Sequence, residues 1–174
     1  MINSNSISAI LFIGVFLFNS AGASAEALFT ASVQGNLSRV SKQLLSGSDA
    51  NLPNSAGRTA LMGASVYGNV RVAKLLIAHG ADVNIQDNLG VSALMDAVRF
   101  KQAAMVRLLI EAGADVDAVD NKKKSILEWA KSAESNAIIA LLEKAGAGKQ
   151  AMAEEPMDKA ETADVEKQAD KETE

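Results

Sequence analysis

A stretch of 28 residues returns 33 positions further along the chain. Gly57–Asn84, GRTALMGASVYGNVRVAKLLIAHGADVN, comes back as Gly90–Asp117, GVSALMDAVRFKQAAMVRLLIEAGADVD. Leu61 falls on Leu94, Leu75 and Leu76 fall on Leu108 and Leu109, and Gly80–Ala81–Asp82–Val83 falls on Gly113–Ala114–Asp115–Val116. Weaker copies lie one period away on each side. Leu28, Gly35, Gly47, Asp49 and Asn51 mark the earlier one, and Leu127, Leu141, Leu142, Gly146 and Ala147 the later. A fixed period over four units means one local structure used four times, with neighbours stacked in a line.

Inside each unit the apolar residues follow helical spacing. Leu61, Ala64 and Ser65 fall at i, i+3 and i+4, and Val72, Leu75 and Leu76 do the same, which predicts two short helices per unit. Gly68 ends the first helix and Gly80 the second, so the pair turns back on itself. Thr59, Ser92 and Ser125 stand in register where an N-cap hydroxyl is wanted. Lys101 and Glu134 occupy the place of Gly35 and Gly68, which predicts a strained or altered turn costing up to ~1 kcal/mol. The outer units are degenerate. Leu44–Leu45 is displaced from the expected leucine pair, and Lys122–Lys123–Lys124 replaces a glycine-bearing loop. No unit can bury its apolar face alone, and each buried leucine contributes ~1.5–3 kcal/mol only when a neighbour covers it.

The motif G-x-T-A-L-M at Gly57–Met62, followed by L-L-I-x-x-G-A-D-V-N at Leu75–Asn84, resembles the ankyrin-repeat family. The resemblance covers residues 26–147. It implies an all-α solenoid of about four helix-turn-helix repeats, near 26–53, 54–86, 87–119 and 120–147, joined by β-turn or hairpin loops. The family's usual proline and histidine are replaced by Ala60 and Met62, then by Ala93 and Met95, so the family's Thr–His hydrogen bond is missing and methionine packing must substitute. The resemblance further implies a concave face that grips another protein. Carried over position by position, that face comprises Ser55, Ala56, Arg58, Val66 and Tyr67 in the second unit. The third supplies Asn88, Leu89, Val91, Arg99 and Phe100, and the fourth Lys122, Lys124, Ser132 and Ala133. Tyr67, Leu89, Val91 and Phe100 are large apolar groups at positions the fold does not need to bury, and Arg58 and Arg99 lie beside them as the kind of residue that anchors interfaces.

The two ends differ from the middle. Residues 7–18, ISAILFIGVFLF, are too short a run for a membrane span, which needs ~20 apolar residues, and lead to the small-x-small site Ala23-Ser24-Ala25. Residues 1–25 are therefore expected to be a signal peptide cut after Ala25, leaving a periplasmic or secreted protein without a stable membrane anchor. Against the usual pattern, no Lys or Arg precedes the run, and the rival reading is an uncleaved anchor. Residues 148–174 carry nine acids, four lysines and no aromatic residue, a composition expected to stay disordered.

Chemistry is scarce. The chain has no cysteine and one histidine, which all but removes the usual triads and zinc sets. His79, near the end of a helix, has a structural reading there. Asp82, Asp115 and Asp117 are spread along the stack and suit turns better than calcium. No cofactor, metal or catalytic residue is expected, and Asp96 and Glu128 are the carboxylates that a hydrolase reading would have to use. Lys122–Lys124 is the one compact basic run, but a formal charge of only +1 for residues 26–147 and the expected export argue against nucleic acid. Trp129 is expected to pack within the end cap. The chain is thus expected to be a monomeric, non-catalytic binder of another protein: an adaptor, an assembly factor or an inhibitor. The alternative within binding is an immunity protein that neutralises an exported toxin.

Overall fold

In a computed structural model, residues 22–148 are described. They form eight helices and no extended sheet: α1 (22–33), α2 (Leu37–Leu45), α3 (Ala60–Val66), α4 (Val70–Ala78), α5 (Ala93–Arg99), α6 (Ala103–Glu111), α7 (Ile126–Ser132) and α8 (Asn136–Ala145). Three residues separate the two helices of each pair, so each pair packs antiparallel. Between pairs the chain runs out and back as a loop. Isolated antiparallel bridges, Gln86 with Ser92 and Val119 with Ser125, close two of these loops at their base. The architecture is the all-α repeat solenoid the 33-residue period predicts.

Size explains why the pairs stack as they do. Apart from their C-terminal residues, α3 and α5 are wholly buried, and they are built mainly of small residues with Leu61, Met62, Leu94 and Met95 among them. Small side chains let neighbouring short helices approach closely. The longer helices α4, α6 and α8 bury one face only, through Val72, Ala73 and Leu76, then Met105, Val106 and Leu109, then Ile138 and Leu142. The short helices pack on one another more closely than the long helices do. Met62 and Met95, which replace the family's histidine, are buried in that core.

Polar side chains tie each unit to the next. Asn51 donates to the Gly80 carbonyl at 2.9 Å and accepts from the Asp82 amide at 2.7 Å. Asn84 repeats both bonds to Gly113 and Asp115 at 3.3 and 2.8 Å. Asp117 accepts from the Gly148 amide at 2.7 Å. Asp49, Asp82 and Asp115 each accept from the amide two residues on, which is the turn role expected of the last two. A second set lies under the helix turns, where Asn69 donates to the Ser32 and Val33 carbonyls and Gln102 to that of Val66.

One local expectation needs correction. Ser92 and Ser125 cap their helices by accepting from Met95 and Glu128 amides, but Thr59, with the same extended backbone, makes no cap bond and is buried. The strained turn expected at Lys101 and Glu134 is present: both hold the left-handed backbone, with φ of 57° and 53° beside 66° for Gly68. A β-carbon at Gly68 would meet the Gln102 side chain, whereas the residue one period on from Gln102 is the shorter Ser135, which leaves room for Lys101. Lys123 likewise takes up the left-handed backbone that Gly57 and Gly90 supply in the preceding loops. Helix α1 begins at 22, upstream of the expected cleavage point, and Ala25 is buried within it. The rest of the expected leader, and the acidic tail beyond Gly148, lie outside the described residues.

Candidate functional site

The concave side has three tiers, each repeated from unit to unit. The outermost is the row of loop tips. Asn54 accepts from the amides of Ala56 and Arg58, Asp87 from those of Leu89 and Val91, and Asp120 from those of Lys122 and Lys124, all at 2.8–3.0 Å. One buried or half-buried side chain thus fixes each tip in the same shape. Adjacent tips are joined by the Asn88 amide to the Ala56 carbonyl at 3.3 Å and by the Asn121 amide to that of Leu89 at 3.1 Å. Ser55, Ala56, Asn88, Leu89 and Lys122 are exposed along this row, Leu89 at 69%. Asn88 already donates its side-chain amide to the Ser55 carbonyl, which makes it part of the scaffold.

Val91 does not belong to the tip. Its amide and carbonyl both bond Asp87, which holds it at the base of the loop, and its side chain joins the core at 9% exposure. The expectation that Val91 offers an uncovered apolar group is overturned on that ground.

The middle tier is formed by Gly63, Asp96 and Trp129 on α3, α5 and α7. Gly63 lets Phe29 and Val33 of α1 approach within 3.0 Å of where a β-carbon would stand. Asp96 is buried and pairs with Arg58, which reaches over from the preceding loop and also lies 4.0 Å from Asp87 and 5.9 Å from the Phe29 ring. Arg58 is therefore turned inward as an internal clamp between units. Burial pushes the Asp96 carboxyl up to about 6, and the Arg58 charge beside it pulls the other way. Trp129 is half-buried, with Lys124 4.1 Å and Arg99 5.4 Å from its ring centre, so it ties two units together across the face.

The innermost tier caps the short helices. Tyr67 follows α3 and Phe100 follows α5, at 61% and 44% exposure, while Val66 is half-covered. The Arg99 guanidinium lies 5.4 Å from the Phe100 ring as well as from Trp129. Ser132 is exposed and Ala133 half-buried at the equivalent ends of the fourth unit.

These groups offer apolar area, aromatic faces and cations. Both carboxylates that a hydrolase would need have structural work. Asp96 is held by Arg58, and Glu128 closes a capping box with Ser125, whose hydrogen bonds hold its carboxyl below the ordinary range. Among the described residues, no three His, Asp or Glu side chains come together as a metal site, and no helix is long and apolar enough to cross a membrane. Two features escaped sequence reading. The Arg58–Asp96 clamp spans 38 positions and has no local signature. The Arg99–Trp129–Lys124 sandwich was foreshadowed only by Trp129 standing one period after Asp96. A separate groove lies on the long-helix side between α2 and α4, lined by Leu37, Ser38, Ser41, Arg71, Lys74 and Leu75.

A ladder of helix pairs with hairpin-like loops and a lined inner face defines a repeat protein built for contact. A family model for ankyrin repeats in three copies matches residues 28–120, and the chain belongs to the ankyrin-repeat family. The fourth helix pair, α7 and α8, lies beyond that match. No curated protein matches the chain. Ankyrin repeats generally mediate protein–protein interaction and are typically non-catalytic.

Proposed function

We propose that this protein holds another protein against its concave face, outside the cytoplasm, and acts by contact alone as an adaptor, an assembly factor or an inhibitor. The observation that carries this reading is the exposure of Tyr67, Leu89 and Phe100 at 61%, 69% and 44% in a domain whose other large apolar side chains are mostly covered. Isolated exposed leucines are ordinary, but aromatic groups repeated in register beside an arginine are the composition of interface anchors. Export rests on the apolar run 7–18 and the small residues before Glu26.

The test uses the tagged protein and the exported fraction of its own cells. Tyr67→Ala with Phe100→Ala removes two anchors of ~2 kcal/mol each, so capture of the partner should fall at least about 100-fold, with helical circular dichroism unchanged. Undiminished capture would move the site off this face. Mass spectrometry of the mature chain should find Glu26 as its first residue, and an intact leader on cytosolic protein would remove the exported role.

A further inference from the structure

The inner face is electrically lopsided. Apart from exposed Glu134 in the turn after α7, the acids near its C-terminal end are already engaged: Asp87 and Asp120 by loop amides, Asp96 by Arg58, and Glu128 by Ser125. The cations are not. Among the described residues both ion pairs use Arg58, so Arg99, Lys101, Lys122 and Lys124 have no carboxylate within 4.0 Å. Trp129 holds the Arg99 and Lys124 head groups against its ring, which orders them while leaving N–H donors to point outward. Ordered donors of one sign beside exposed Phe100 make a surface that fits an acidic segment.

We infer that this end of the face receives an acidic peptide segment, and that its occupant is the chain's own Glu154–Glu174. That segment holds all nine acids of residues 149–174, against three lysines. Its attachment point is favourable. Gly148 is fixed to Asp117 and lies against Leu127, in the unit that carries Lys122, Lys124 and Trp129. The six residues from Gly148 to Glu154 span up to ~20 Å, about two helix diameters, so the acids can pass around the last helix pair. A tether of this length gives an effective concentration near millimolar, at which even weak ion pairing fills the site. A partner with a competing acidic surface would then have to displace the segment.

Trp129 is the single tryptophan, so its fluorescence reports this place alone. The experiment compares full-length protein with a full-length variant in which all nine acids become amides (Glu154→Gln, Asp158→Asn and so on). In the native chain, acrylamide quenching at low salt should be two- to threefold weaker than in about 0.5 M NaCl, where screening acts within roughly 4 Å. The amide variant should be quenched strongly at both salts. Equal quenching of the two proteins at low salt would overturn the inference, and so would shielding that vanishes on dilution, which would mean contact between copies. No partner enters this measurement, so it can fail while capture through Tyr67 and Phe100 stands, and the reverse.

Discussion

Gly80 and Gly90 both require a left-handed backbone, with φ of 83° and 76°, yet alanine should cost very different amounts at the two. A β-carbon at Gly80 would meet nothing within 4 Å, so Gly80→Ala isolates the backbone effect. Left-handed alanine costs about 1–2 kcal/mol, offset by about 0.4–1 kcal/mol from a less flexible unfolded chain, for a net loss near ~1 kcal/mol. At Gly90 the β-carbon would lie 2.6 Å from the Asn121 backbone nitrogen. A backbone atom cannot swing aside, so the next loop must move. That movement gives up the Asn121 amide bond to Leu89 and the Asn121 side-chain bond to Asn88, both 3.1 Å. At about 0.5–1.5 kcal/mol each, Gly90→Ala should lose about 2–4 kcal/mol in all. Urea unfolding followed by circular dichroism reads both values, and in Tm the losses should be roughly 4 °C and roughly 8–15 °C. Equal losses would mean that the stacked loops do not constrain one another, and the account of the tips as a joined row would fail.

Two further outcomes follow from the ionisable and capping groups. The Asp96 carboxyl titrates at about 6 in the fold against 3.8 as its ordinary value, so its neutral form is the one the fold favours. Its contribution is complete below pH ~4 and is lost as pH rises through 6, so stability should fall across that window, by on the order of 3 kcal/mol at most, and Asp96→Asn should flatten the fall. Denaturant titrations from pH 4 to 7 measure this; a rise in stability attributable to Asp96 would show that the pair with Arg58 outweighs burial. Ser125→Ala removes the hydroxyl half of the capping box on α7, leaving the backbone amide at 125 to donate to Glu128, and should cost ~1 kcal/mol, read by loss of Tm with the fold otherwise retained. No change would mean that water replaces the cap.

The repeat was legible because the helix pairs obey local rules. Apolar spacing, N-cap serines and turn glycines lie within a dozen residues of one another, and all recur at 33. The same regularity predicted a strained turn where Lys101 and Glu134 stand, and both take up positive φ there. What lay beyond reach depends on contact between units. Whether Val91 faces out or in is decided by its two hydrogen bonds with Asp87, and whether Arg58 is free is decided by a carboxylate 38 residues away. Arg99, by contrast, was named from its register and is exposed, yet its stacking on Trp129 needed coordinates. Position within a repeat thus reveals which residues line a face, and neighbouring units decide which of them remain available.

One substitution in the amide ladder carries a meaning of its own. Asn51 and Asn84 each donate a hydrogen bond forward to the next unit and receive one from it. Asp117, in the same register, can receive but has none to give. The exchange of a single atom type therefore closes the series, as a terminator closes a polymer. Restoring asparagine there and appending another 33-residue module should let the array grow, which makes its length an adjustable property.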